Sequence, residues 1–276
     1  MQQTFACKNC GNNYTGKFCN HCGEKRYEER DRSVKHLLAE GLHFVTHLEG
    51  TFFNTIITLF KRPGKLSYDY CNGIRKKYFK PLSLFLLLVI LYLLFPIFDG
   101  LNVKPGEHIR HSLYGDYARR KAIEIMQEKQ WPEAELVKAF SQASEKISKF
   151  LLFIIIPVMA LFSWMISFKK RKYFYDNFVF SIEANSFFIL WAFLIFPVLF
   201  KIFYYFFPVV DDSDWLYILL LNLFFFLLYL IIASKRFFGI NWWYSIGYSL
   251  LYTFFLAMFI HYIYKFILFF ITIRLI

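Results

Sequence analysis

Four cysteines open the chain in two matched pairs. "CKNCG" runs from Cys7 to Gly11 and "CNHCG" from Cys19 to Gly23, with eight residues between Cys10 and Cys19. Two C-x2-C turns can bring four thiolates around one ion, at about 2.3 Å each for zinc. The glycine behind each pair permits the tight turn that aims backbone N–H groups at sulfur. The spacing predicts a structural Zn2+ site held by Cys7, Cys10, Cys19 and Cys22. Four protein ligands leave no open position, so no catalysis is expected there. A redox dithiol is the rival reading, but no βαβ pattern surrounds the pairs. Two disulfides would need an oxidising compartment. The gap of eight residues implies a minimal ribbon whose core is Phe5, Tyr14 and Phe18. Metal then supplies most of its folding energy. Lys8, Lys17, Lys25 and Arg26 lie nearby to offset the thiolate charge, and His21 is expected to be solvated.

Other residues could do chemistry elsewhere. His36, Glu40, His43 and His47 share one helical face, which is either a second metal or polar site or a solvated stripe. Cys71 stands alone without a local base and reads as a small buried residue. Glu183 lies early in an apolar run beside Asn185. A charge in lipid is costly unless it faces a cavity or a partner. Glu183 is therefore either an ion or substrate contact inside a bundle, or an interfacial residue paired with the cations at 169–172. Asn222, in the middle of another apolar run, suits an interhelical hydrogen bond.

The elements around these residues belong to a membrane. The chain has 276 residues, 57% hydrophobic and 22% aromatic, with 19% charged and a net charge of +12. Its apolar residues come in runs long enough to cross lipid, about 20 residues each. The reading is an all-α polytopic membrane protein of about five transmembrane helices behind a small zinc ribbon. The ribbon occupies residues 1–25 and amphipathic juxtamembrane helices occupy 26–80. A first span covers 81–98, a helical hairpin outside the membrane covers 99–149, and a four-span bundle covers 150–276. The bundle's spans are placed at about 150–168, 181–207, 215–233 and 242–264, with kinks at Pro157 and Pro197.

Charge orders the spans. Residues 61–80 hold seven Lys or Arg against one acid, "KKRK" follows at 169–172, and Lys235 and Arg236 follow the fourth span. The loop "PVVDDSDW" at 208–215 has three acids and no base. Positive loops stay inside, which puts the N-terminus in the cytoplasm and the C-terminus outside. Topology thus explains most of the net charge, and a nucleic-acid partner is not expected. Arg75, Lys76, Lys77 and Lys80 enter the first span among tyrosines and suit contact with lipid headgroups. The hairpin at 99–149 is nearly neutral, with nine basic and eight acidic residues.

The ribbon followed by Thr55, Leu59, "KRPG" (61–64), Tyr70 and "GIRKKYFKP" (73–81) resembles an uncharacterised family of bacterial membrane proteins. That resemblance covers about the first third of the chain. It implies the same architecture in a bacterial inner membrane, with no assigned activity. Relatives of this pattern carry histidines early in the third span, where this chain has Asn177 and Glu183. The functional expectation is a zinc-ribbon adaptor or assembly factor that binds a protein partner and is not an enzyme. The alternatives are a small transporter or channel using Glu183, and, more weakly, a membrane enzyme acting on lipid.

Overall fold

The computed structural model describes residues 4–26, 51–94, 103–206 and 215–276, together with Val34. The histidine stripe at His36, Glu40, His43 and His47 lies outside the described residues. Two short strands, β1 (Thr4–Ala6) and β2 (Asn13–Thr15), pair antiparallel with Phe5 opposite Tyr14. Helices follow: α1 (Thr51–Lys61), α2 (Lys65–Cys71), α3 (Pro81–Leu94), α4 (Pro105–Ile109), α5 (Gly115–Lys129) and α6 (Glu133–Ser167). Next come α7 (Phe174–Phe188) and α8 (Phe196–Phe206), joined by a π-helical stretch at Ile189–Ile195. The last are α9 (Trp215–Phe238), α10 (Trp242–Met258) and α11 (Lys265–Leu275), the latter two joined by π-helical turns at Phe259–Tyr264.

Among the described residues, four stretches are long and apolar enough to cross a membrane: Phe150–Ser167, Phe174–Phe203, Leu220–Phe238 and Trp242–Leu275. Within the most apolar 18-residue window of each, 28% to 44% of residues are buried against the protein itself. The rest is outward apolar surface that suits lipid, where helices alone satisfy their backbone groups internally. The first apolar helix is shorter, Pro81–Tyr92. The chain is thus a helical multi-pass membrane protein. Several boundaries differ from the sequence expectation. The third span begins at Phe174 rather than 181, because the chain leaves the extended residue Tyr173 directly into helix. As the expected continuity of the hairpin's second arm with the second span requires, one helix runs from Glu133 to Ser167. It runs through Pro157 as a single helix. At Pro197 the accommodation is visible: the π-helical stretch ends two residues earlier, where the missing proline N–H would break α-helical pairing.

The chain forms two compact units, residues 1–97 with 156–252, and residues 98–155 with 253–276. In the first, α7 is the hub. Every residue from Tyr175 to Phe187 is buried, and α1, α2, α3 and α9 all pack on it. A helix buried all round carries no amphipathic stripe, so periodicity could not have oriented it. Small polar groups stitch its neighbours together. Ser163 Oγ lies 2.8 Å from Asn177 Oδ1 and 2.7 Å from the Tyr248 hydroxyl, and Ser234 and Ser245 meet at 2.8 Å. Such bonds hold helices together where the hydrophobic effect is weak.

The second unit packs α11 against α4 and α5. Its core is Tyr114, Ala118, Phe140, Phe269 and Ile273. His108 is fully buried there among Tyr114, Phe140 and Phe269, with Nδ1 2.8 Å from the Tyr114 hydroxyl. Burial, reinforced by the charges of Lys265 and His111, holds the His108 imidazole down to about 4. The unfolded state then takes up the extra proton between about pH 6.5 and 4, so this unit loses stability as pH falls through that window. At pH 5 the cost is about 2 kcal/mol. Histidine NMR should show His108 neutral at pH 5. The unfolding midpoint in detergent should drop from pH 7 to pH 5, with a flatter dependence in His108→Phe.

Candidate functional site

The ribbon is built from two copies of one turn. Gly11 N–H donates to Cys7 O at 2.9 Å and Cys7 N–H to Asn12 O at 2.9 Å. Twelve residues on, Gly23 N–H donates to Cys19 O at 2.8 Å and Cys19 N–H to Glu24 O at 2.9 Å. Gly11 (φ 79°) and Gly23 (φ 67°) both sit in the left-handed region that glycine enters freely. The four sulfurs lie within 4.8 Å of one another. Cys7 and Cys22 Sγ are 3.5 Å apart, and Cys10 and Cys19 Sγ 3.6 Å. A thiolate tetrahedron around zinc has edges of about 3.8 Å, whereas a disulfide needs about 2.05 Å. The four cysteines are free thiols in a cluster that can hold one metal ion. The Cys19 thiol is held down to about 6, chiefly by the backbone N–H of Cys22 against the effect of burial. That direction favours the thiolate, the form a metal takes. The protein core beneath is small: Cys7, Tyr14 and Cys19, with Phe5 alongside.

The ribbon does not hang free. Glu24, buried at 4% exposure, accepts a hydrogen bond from the Lys76 backbone N–H at 2.8 Å. Burial pushes its carboxyl up, while the N–H groups of Lys76 and Arg75 pull it back. Lys76 and Lys77 expose their side chains, and Arg75 and Lys80 are half-buried. Arg75 reaches the Tyr175 hydroxyl at 3.2 Å and lies over the Tyr70 ring, so its guanidinium is engaged by protein.

The deeper junction centres on Glu183. One carboxylate oxygen accepts the Gly64 N–H at 2.8 Å and the Tyr229 hydroxyl at 3.2 Å. The other accepts the Ser67 N–H at 2.7 Å. All three of these groups donate to the carboxyl oxygens. Glu183 therefore ties the start of α2 to α7 and α9. It is neither the free cavity residue nor the partner of the 169–172 cations that the sequence left open. Short polar backbone at the Arg62–Pro63–Gly64 turn needed an acceptor, and Glu183 supplies it. Arg236 donates to the Pro63 carbonyl from the end of α9. Gly64 has φ 76°, and a Cβ there would stand 2.3 Å from the Ala233 carbonyl oxygen. The turn thus presses directly on the α9 backbone.

Asn185 is not part of that junction. Its amide donates to the Ser181 carbonyl at 2.7 Å and lies 3.5 Å from the Tyr252 hydroxyl. Asn222 is half-buried, two helical turns before Tyr229, about 10 Å along the axis. The grouping of Glu183, Asn185 and Asn222 as one polar site is thus dissolved into separate contacts. Asn177 is likewise occupied, bonded to Ser163 and Ser167 at 2.8 Å each. Cys71 is buried, as expected, and burial raises its thiol well above the usual range. Sequence reasoning missed Glu24 and Tyr229. Glu24 had a signal, being the acid directly behind the second Cys-Gly pair, while Tyr229 had none.

Residues 49–93 match the family model for a protein of unknown function, DUF3667. The match takes in α1, α2 and nearly all of α3, and with them the turn that Glu183 holds. The ribbon lies outside it. No curated protein and no solved structure matches the chain.

Two outcomes follow for these sites. Purified protein should carry one thiophilic divalent ion per chain, and cobalt substitution should give the absorption of a tetrahedral thiolate site. Replacing Cys7 and Cys19 with serine should abolish both, and wild type purified without metal would overturn the assignment. At the junction, Glu183→Leu strands two backbone N–H groups at about 1–3 kcal/mol each. Glu183→Leu and Gly64→Ala should both lower the thermal midpoint and the monodisperse yield in detergent, and Glu183→Gln should fall between them and wild type.

Proposed function

We propose that the chain is an adaptor of the bacterial inner membrane. A structural zinc ribbon sits on its cytoplasmic side and recruits a protein partner. The observation that carries this reading is the fixed posture of the ribbon. Glu24 anchors one side of it, while Phe18 stays 58% exposed between the exposed Lys17 and Lys25. A small metal-stapled module that presents an uncovered aromatic ring with flanking cations suits recognition of an acidic or aromatic protein surface. Zinc is favoured because four cysteine thiolates and no open position is its commonest structural set.

The orientation rests on charge. Arg171 donates to the Phe237 carbonyl at 3.1 Å and Arg236 to the Pro63 carbonyl, so the basic segments at 61–65, 169–172 and 235–236 gather at one end of their unit. Positive segments gathered there support a cytoplasmic N-terminus with the C-terminus outside. Lys76 and Lys77, exposed beside Tyr78, suit anionic headgroups at that face. The transporter alternative loses its central residue, because both Glu183 oxygens already accept backbone N–H groups.

The reading is tested by a photo-crosslinking residue at position 18 of the full chain in native membranes, with position 15 as the comparison. A discrete adduct at 18 is expected, and it should vanish with the Cys7→Ser and Cys19→Ser changes. No adduct at 18 above that at 15 would overturn the adaptor.

A further inference from the structure

The second cysteine knuckle meets the turn that feeds α3. Glu24 belongs to that knuckle through its backbone, since its carbonyl accepts the Cys19 N–H at 2.9 Å. Its side chain belongs to the turn, since its carboxylate accepts the Lys76 N–H at 2.8 Å. Gly23, the residue before it, lies directly under the Lys76 side chain: a Cβ there would stand 2.3 Å from the ammonium nitrogen. One residue of the turn is thus gripped by two consecutive residues of the knuckle.

We infer that metal loading of the ribbon clamps the Arg75–Lys77 turn, so that the chain responds to thiophilic metal by seating or releasing the entry to its first apolar helix. The ribbon's own core is three buried residues, two of them cysteines. A core that small does not hold a fold without its ion. When the ion leaves, the knuckle loses the geometry that fixes Glu24, and the Lys76 N–H loses its acceptor.

Release is local. The far side of the turn is held from α1, where Asn54 donates to the Lys77 carbonyl at 3.0 Å and Thr55 Oγ1 accepts the Phe79 N–H at 2.8 Å. Tyr78 donates to Asp69 at 2.7 Å. These bonds do not involve the ribbon. Coupling also runs backwards, because linkage is reciprocal: the seated turn holds the knuckle in its metal-binding shape. Removal of an outer partner of a metal site weakens metal binding about 10- to 100-fold. The clamp rests on the metal site and not on the identity of any partner.

The test is amide hydrogen exchange on the full chain in nanodiscs. Zinc-loaded protein is compared with protein stripped by a chelator, and with Glu24→Ala at saturating zinc. Stripping should speed exchange at Lys76 at least about tenfold while Phe79 and α7 stay protected. Glu24→Ala should do the same with its zinc still bound by metal analysis, and should lose that zinc to chelator about tenfold faster than wild type. Glu24→Asp, which keeps the charge on a shorter arm, should fall between. Equal protection of Lys76 with and without zinc would overturn the clamp, as would Glu24→Ala that keeps both zinc and wild-type protection. If α7 loses protection as well, the effect is general unfolding, which also refutes it. A failed clamp with position 18 still crosslinking would leave the adaptor standing.

Discussion

A buried carboxylate that accepts two backbone N–H groups is the constraint on which the first unit turns. The Arg62–Pro63–Gly64 turn reverses the chain between α1 and α2 and leaves N–H groups that no helix can use. In water those groups would be solvated. Inside a helical membrane protein each unmet donor is expensive. Glu183 meets the N–H groups of Gly64 and Ser67 together, and Tyr229 completes its shell. The same contact lets α2 lie flat against α7 and α9, which then brings Gly64 onto the Ala233 backbone. The charge at Glu183 and the missing side chain at Gly64 are two halves of one solution.

From that junction the other contacts extend outward in order. Asp69, one turn along α2, takes Lys65 at 2.9 Å and the Tyr78 hydroxyl at 2.7 Å. Tyr78 fixes the turn that Glu24 reaches from the ribbon. The stretch matching an uncharacterised family, residues 49–93, is the part of the chain that lies between the deep carboxylate and the cysteine cluster. Its motif residues are therefore intelligible as joinery: a proline and a glycine to turn, a tyrosine to brace, and basic residues at the rim.

The architecture was legible because lipid imposes strong rules. Long apolar runs, the basic segments and the paired cysteines each carry a mechanism that works from one short window of sequence. Glu183 was visible as an anomaly for the same reason, since a charge in an apolar run demands a partner. Its partner was not legible, because backbone N–H groups leave no mark in a sequence and lie more than a hundred positions away. The helix α7 begins before the expected span, at Phe174, and its polar Asp176 and Asn177 are interior. Glu24 was overlooked because an acid beside a basic, exposed knuckle reads as ordinary surface.

The repeated knuckle carries a further implication. The ribbon repeats the same backbone hydrogen bonds in both turns. Asn12 and Glu24 hold corresponding places, each taking the N–H of the first cysteine of its pair on its backbone carbonyl. Asn12 is exposed and neutral, while Glu24 is buried and acidic. That single difference breaks the symmetry. It attaches the repeated module to the turn before α3 through its second knuckle, and not its first.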